Sequence, residues 1–195
     1  MTDLEEKMLA GVKETRIARE EVFKGSFLKV RCDTVTTATG VTRTREYIVH
    51  PGASVIVCLF DDQSVLMEYQ WRQPCERAFW ELPAGKLDPN EEPLVCAKRE
   101  LAEETGYEAT EWSYLGRIHN AIGYSDEHLE IYLARGLTEG TSHLDEGECL
   151  SVVKMPLTRA LQMIQTREIT DVKTIIGLLW AEQVVEGKKT PTPCP

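Results

Sequence analysis

GKLDPNEEPLVCAKRELAEETGY, residues 85–107, is the stretch that decides how this chain is read. Pro93 suits the first turn of a helix and Gly106 suits the position just past its end, so the spacing predicts a helix over Glu92–Thr105. Glu100, Glu103 and Glu104 then fall in its last two turns. Carboxylates there face the negative end of the helix dipole, and Glu100 and Glu104 repel each other at i,i+4. Each effect costs roughly 0.2–1 kcal/mol with no structural gain visible in the sequence. Local rules broken together mark a site. Three carboxylates on one face hold hard divalent cations through oxygen, which cancels the repulsion. Arg99 is the natural counter-charge and Glu91 a partner for it. From the three carboxylates alone, an ordinary solvated Glu-rich helix remains the competing reading.

Working outward, Ser54–Phe60 is a continuous apolar run that, after the turn DDQS, joins VLMEYQWR in a predicted hairpin with one well-buried strand. Strands are expected at EWSYLGRI, HLEIYLARGL and LSVVKMPL, and helices at Leu157–Thr166 and Asp171–Glu186. The last carries Val172, Ile175, Ile176 and Leu179 as one stripe, with Gly187 to end it. The class is therefore α/β or α+β, a mixed sheet sandwiched between helices. Residues 1–50 differ: a short amphipathic helix with Leu4, Met8 and Val12, then strand-like pieces over Glu20–Val49 whose apolar density is too low for a core of their own. The expected organisation is an N-terminal region over 1–50, a main domain over 51–190 and a frayed tail over 191–195.

The 195 residues carry 22 Lys and Arg against 32 Asp and Glu, a net charge of −10, which argues against a general nucleic-acid binder. A hydrophobic fraction of 42% supports a folded core. No apolar run approaches the roughly 18 residues of a membrane span, and the first residues resemble no signal peptide, so a cytoplasmic protein with no membrane partner is expected. The six cysteines form no C-x-x-C pair and read as reduced thiols.

Gly, five residues, Glu, seven residues and Arg-Glu-Leu-x-Glu-Glu-x-Gly-hydrophobic match the Nudix box at every fixed position. The segment resembles a Nudix hydrolase, a family that cleaves a nucleoside diphosphate linked to a further moiety. The resemblance implies an α/β/α sandwich with the box as loop, helix and loop. It also implies Mg²⁺, with Mn²⁺ able to replace it, in two or more ions held by Glu100 and Glu104 with Glu103 beside them and the Ala84 carbonyl as a further ligand. Arg99 and Glu91 would orient that shell. Metals suit the chemistry, because a diphosphate's own charge repels a nucleophile and an acidic protein binds an acidic substrate through cations.

Arg45-Glu46-Tyr47, YQWRQP, WELPAGKLD, GYSDE, DEGE and DVKTIIGLLW resemble the ADP-ribose pyrophosphatase branch. That likeness implies a small nucleoside diphosphate derivative as substrate, contacted by Arg45, Arg72, Glu81 and Gly85. It also implies a loop carboxylate as base, for which Glu146 and Glu148 compete. Glu148 is preferred because it directly precedes the apolar start of the next strand. Ile122 stands where the branch carries a proline, which keeps ADP-glucose, GDP-mannose and other nucleoside diphosphate sugars open beside ADP-ribose. A non-catalytic nucleotide-binding module and a sanitiser of oxidised nucleoside triphosphates also stay open to a chain with this box. Dimers with exchanged N-terminal strands are common in the branch, so a homodimer is expected.

Overall fold

The computed structural model describes residues 2–144, Gly147 and residues 149–195. The chain forms two compact units, Met1–His50 with Ala121–Glu127, and Pro51–Asn120 with His128–Pro195.

In the first unit, helix α1 (Asp3–Val12) opens with a capping box between Thr2 and Glu5 and buries none of its residues. Strands β1 (Thr15–Lys24), β2 (Lys29–Thr36) and β3 (Thr42–Val49) form an antiparallel sheet in the order β1-β2-β3. All ten residues of β1 are exposed. The β1–β2 ladder shifts register between Arg16 and Ala18 and again between Glu21 and Phe23. Asp33 of β2 is buried, where Arg19 donates to both of its oxygens at 2.7 and 2.8 Å and the Tyr47 hydroxyl donates at 3.2 Å. Ala121–Glu127 joins this unit through Ile48, whose N–H donates to the Tyr124 carbonyl at 2.9 Å.

The second unit contains the core. Strand β4 (Ala53–Cys58) is buried at every position. It lies beside β7 (Ala84–Lys86) and parallel to β9 (His128–Glu139). With β8 (Tyr107–His119) and β11 (Thr192–Pro193) they make a five-stranded sheet in the order β11-β8-β9-β4-β7. Alternate β4 side chains feed two cores, which is why its sequence is apolar at every position but Ser54. Val55 and Val57 pack with Ile131, Met163 and Leu178, the last two from helices α3 (Leu157–Gln165) and α4 (Val172–Val185). Ile56 and Cys58 pack with Tyr132, Ala97 and Leu101 on the side of helix α2 (Pro93–Glu100). The expected sandwich of sheet between helices is borne out. No helix among the described residues is long and apolar enough to cross a membrane.

Three expectations change. The predicted hairpin does not form: β4 sits in the five-stranded sheet, whereas β5 (Ser64–Arg72) joins β6 (Arg77–Glu81) and β10 (Leu150–Pro156) in a second sheet, order β10-β5-β6. Leu59 and Val65 make one isolated bridge between the two runs. Val65, Leu66 and Met67 are as buried as β4, so both runs find better-covered neighbours than each other. Second, the box helix does not stay α-helical, because Leu101–Thr105 forms a π-helical turn. Third, the tail does not fray. Thr192–Pro193 pair with Ser113 and Tyr114 of β8, and the Cys194 N–H donates to the Trp112 carbonyl at 2.9 Å.

Candidate active site

The box folds around the end of β7. From there the chain loops to Pro93, the first residue of α2, whose carbonyl accepts from the Ser54 hydroxyl at 2.6 Å. The Cys96 thiol lies 3.5 and 3.4 Å from the carbonyl oxygens of Gly85 and Lys86, and its pKa is pushed up to about 12, chiefly by burial. This packing presses the helix onto the strand. A Cβ on Gly85 would stand 1.8 Å from Cδ and Oε1 of Glu100, so only glycine leaves room for that carboxylate.

Arg99 organises the acidic side chains. Its Nε and Nη2 donate to the two Glu91 oxygens at 2.9 and 3.0 Å, and Nη1 donates to Glu100 at 2.7 Å and Glu103 at 2.9 Å. The Arg99 hydrogen bonds hold the Glu91 carboxyl down to about 2 and raise the pKa of Arg99 itself. Glu104 points elsewhere. It is 5% exposed, and its Oε2 accepts from the Ala84 N–H at 3.1 Å. The π-helical turn changes the i,i+4 geometry expected for an α-helix, and such turns are frequent at functional sites. Burial, followed by the charges of Glu68 and Glu104, pushes the Cys58 thiol well up, so both carboxylates bear on the same interior.

Gly106 ends the turn with φ +75°, and a Cβ there would meet the Ser142 nitrogen at 2.7 Å. Such a close approach lets the following segment dock. The Gly140 N–H donates to the Gly106 carbonyl at 2.7 Å and the His143 N–H to the Glu103 carbonyl at 2.9 Å. Glu103 and His143 border a cavity of about 480 Å³ shared with Glu108 and Glu139.

Of the residues anticipated from sequence, Ala84, Gly85, Glu91, Arg99, Glu100, Glu103 and Glu104 come together here. Arg72 and Glu81 meet on the β5–β6 hairpin, where Arg72 Nε and Nη2 each donate to Glu81 at 2.7 Å. Its hydrogen bonds to Glu81 raise the Arg72 pKa, and the charge of Glu104 adds a smaller push in the same direction. Arg45 lies on β3 of the N-terminal unit, paired with Glu14. Glu146 and Glu148 lie outside the described residues. Sequence reasoning missed Glu68, directly opposite Glu81 in register and 2% exposed, and Lys173, which bonds Glu81. A charged residue inside the apolar run VLMEY was the available signal for Glu68.

The donors fit a hard cation: they are carboxylate oxygens beside a strand carbonyl, with a glycine keeping space under one of them. Among the described residues, no three His, Cys, Asp or Glu side chains already converge on one cation position. Glu100 and Glu103 instead share the Arg99 guanidinium.

The NUDIX domain model matches residues 50–174, a span that contains the whole arrangement. The chain belongs to the NUDIX domain family. Among its relatives, a protein named methanol dehydrogenase activator from Bacillus methanolicus is 37% identical over 172 residues, 87% of this chain and 93% of its own. The ADP-ribose pyrophosphatase of Bacillus subtilis (strain 168) is 34% identical over 176 residues, 89% of this chain and 95% of its own. A solved structure described as an ADP compounds hydrolase shares the fold with a TM-score of 0.81 at 24% identity, covering 90% of this chain and 96% of its own.

Proposed function

We propose that this Nudix protein hydrolyses the diphosphate bond of ADP-ribose to AMP and ribose 5-phosphate, using Mg²⁺, or Mn²⁺ in its place, in two or more ions. The observation that carries the reading is the fit between Gly85 and the Glu100 carboxylate, in a box whose carboxylates are all present. The B. subtilis relative supports the choice of substrate by its name. Glu100, Glu103, Glu104 and the Ala84 carbonyl are the groups that would hold the ions. Bound there, divalent cations supply neutralisation of the diphosphate oxygens and a more acidic water.

The remaining roles belong to the chain. Arg99, fixed by Glu91, offsets the acidic cluster and orients Glu100 and Glu103. Arg72 has Nε and Nη2 committed to Glu81, so its approach to a diphosphate oxygen falls to Nη1. Glu148, or Glu146 in its place, takes the proton from the attacking water. The water oxygen bonds to one phosphorus as the bridging P–O bond breaks, giving two monophosphates. Arg45 and the N-terminal strands would act in a homodimer, completing the active site of a second copy. A cytoplasmic location fits a small nucleotide substrate.

Ile122 favours keeping nucleoside diphosphate sugars as the second reading. It is 84% exposed and brings no proline ring to fix φ, so the proline that marks the ADP-ribose branch is missing although no ligand is removed. One screen separates the readings. Purified protein with Mg²⁺ or Mn²⁺ is offered ADP-ribose, ADP-glucose, GDP-mannose, NADH, dinucleoside polyphosphates and oxidised dGTP, with Glu104→Gln in parallel. Hydrolysis of ADP-ribose in preference, lost by orders of magnitude in Glu104→Gln while the fold persists, is expected. Preference for a sugar nucleotide selects the second reading. Binding without hydrolysis of any compound selects a non-catalytic module.

A further inference from the structure

The DVKT sequence at the start of α4 has no part in the chemistry above, yet it reaches into the site. Glu81 is 3% exposed and stands directly across the β5–β6 ladder from Glu68. Facing carboxylates repel, and burial opposes ionisation of either. Burial pushes the Glu81 carboxyl up, but the hydrogen bonds and charges of Arg72 and Lys173 outweigh it and leave Glu81 below the ordinary glutamate value.

Lys173 shares the Glu81 Oε2 atom with Arg72 Nη2 and also donates to Asp171 Oδ2 at 2.9 Å. Its side chain is only 11% exposed. The same Asp171 oxygen caps α4, accepting from the Thr174 N–H at 3.1 Å and its hydroxyl at 2.6 Å. The buried Thr174 hydroxyl oxygen in turn accepts from the Leu82 N–H at 2.9 Å. The first turn of α4 is thus fastened to the end of β6 at Glu81 and at Leu82 just beyond it. A lysine in the first turn of a helix sits at the unfavourable end of the dipole, so helix formation does not account for it.

We propose that Lys173 is a positioning residue for substrate binding: by fixing Glu81 it sets the plane of the Arg72 guanidinium that meets the diphosphate. The inference rests on the reading that Arg72 binds that diphosphate. Lys173 touches no reacting atom. It acts through one carboxylate, so its loss weakens binding and leaves turnover nearly untouched.

A double-mutant cycle between Lys173→Met and Arg72→Ala, read by steady-state kinetics on ADP-ribose with Mg²⁺, tests it. Lys173→Met is expected to raise KM at least about tenfold with kcat within about threefold. Lys173→Arg, which restores a cation, should recover most of that loss. In the Arg72→Ala background, Lys173→Met should add almost nothing. Should Lys173→Met fold poorly, Lys173→Ala also removes the donor to Glu81 and is read in the same way. Arg72→Ala with unchanged kinetics, or a wild type that cleaves no diphosphate, overturns the reading of Arg72 and this inference with it. If Arg72→Ala raises KM while Lys173→Met does not, or if the two effects simply add, the role of Lys173 alone is refuted. Equal loss in Lys173→Met and Lys173→Arg, tracking a fall in Tm, also refutes it, since that pattern belongs to packing.

Discussion

Gly85 and the Glu100 carboxylate occupy mutually exclusive space: a Cβ on the glycine would fall 1.8 Å from Cδ and Oε1 and 2.3 Å from Oε2. The backbone at Gly85 needs no left-handed conformation, so alanine is tolerated there except for this contact. The glutamate, being the far end of a flexible side chain, gives way. Gly85→Ala should therefore lower Tm by no more than a few degrees while kcat/KM falls at least about 100-fold, the scale of a roughly 1 Å misplacement. Thermal melts beside kinetics check it, and near-normal activity would show that Glu100 does not work where it now lies.

Glu91 is the anchor of Arg99, and its carboxyl sits at about 2 against an ordinary 4.5. A depressed carboxyl contributes stability that is fully present above pH 4.5 and is lost as pH falls toward 2. Glu91→Gln should cost about 1–3 kcal/mol at pH 7, the scale of charge-assisted hydrogen bonds discounted for solvent. The gap to the wild type should narrow steadily below pH 4.5. Thermal melts in a chelating buffer from pH 7 down to pH 3 provide the measurement. A gap that stays constant with pH would mean that the variant loses packing and not an ion pair.

The box was legible because its residues are local and their spacing is fixed by one helix. Glu91, Glu100 and Glu103 gather on Arg99 as the spacing implied, whereas Glu104 turns away to the Ala84 N–H. What escaped was set by tertiary pairing. The sequences of β4 and β5 look like hairpin partners, since apolar runs on either side of a turn satisfy that pattern, and nothing local says that each is covered on both faces by other elements. Residues 84–86 carry no strand signal of their own, because β7 owes its strand pairing among the described residues to β4. The Glu81–Lys173 bond joins residues 92 apart in the chain, and a lysine in a helical first turn gives no local sign of a buried partner.

Glu146 and Glu148 fall in the sequence between two described residues that are each tied to the second unit. His143 is tied to the Glu103 carbonyl, and Leu150 pairs with Gln70 at the start of β10. If Glu148 is the base, Glu148→Gln should cut kcat by about 10²–10⁴ with little change in substrate affinity, and Glu146→Gln should remain close to wild type. The opposite pattern exchanges the two roles. Small losses in both would remove this loop from proton transfer altogether.

Every residue of β1 is exposed, α1 buries nothing, and Ile17, Val22 and Phe23 are respectively 60%, 50% and 54% exposed. Ile17 and Val22 lie where the β1–β2 ladder shifts register, so neither has a paired residue across it. A ten-residue strand left open in this way presents an unprotected edge and apolar side chains, which a second copy would cover reciprocally about a two-fold axis. The full chain is therefore expected to sediment as a dimer at micromolar concentration. The double substitution Ile17→Asp and Val22→Asp, at positions that contribute nothing to the core of their own chain, should yield a folded monomer. Because the N-terminal strands are assigned to the second copy's active site, that monomer should lose ADP-ribose hydrolysis even though its box is untouched. A wild type that sediments as a monomer with full activity would instead mean that the arm serves its own chain, and a dimer that survives both aspartates would move the interface away from β1.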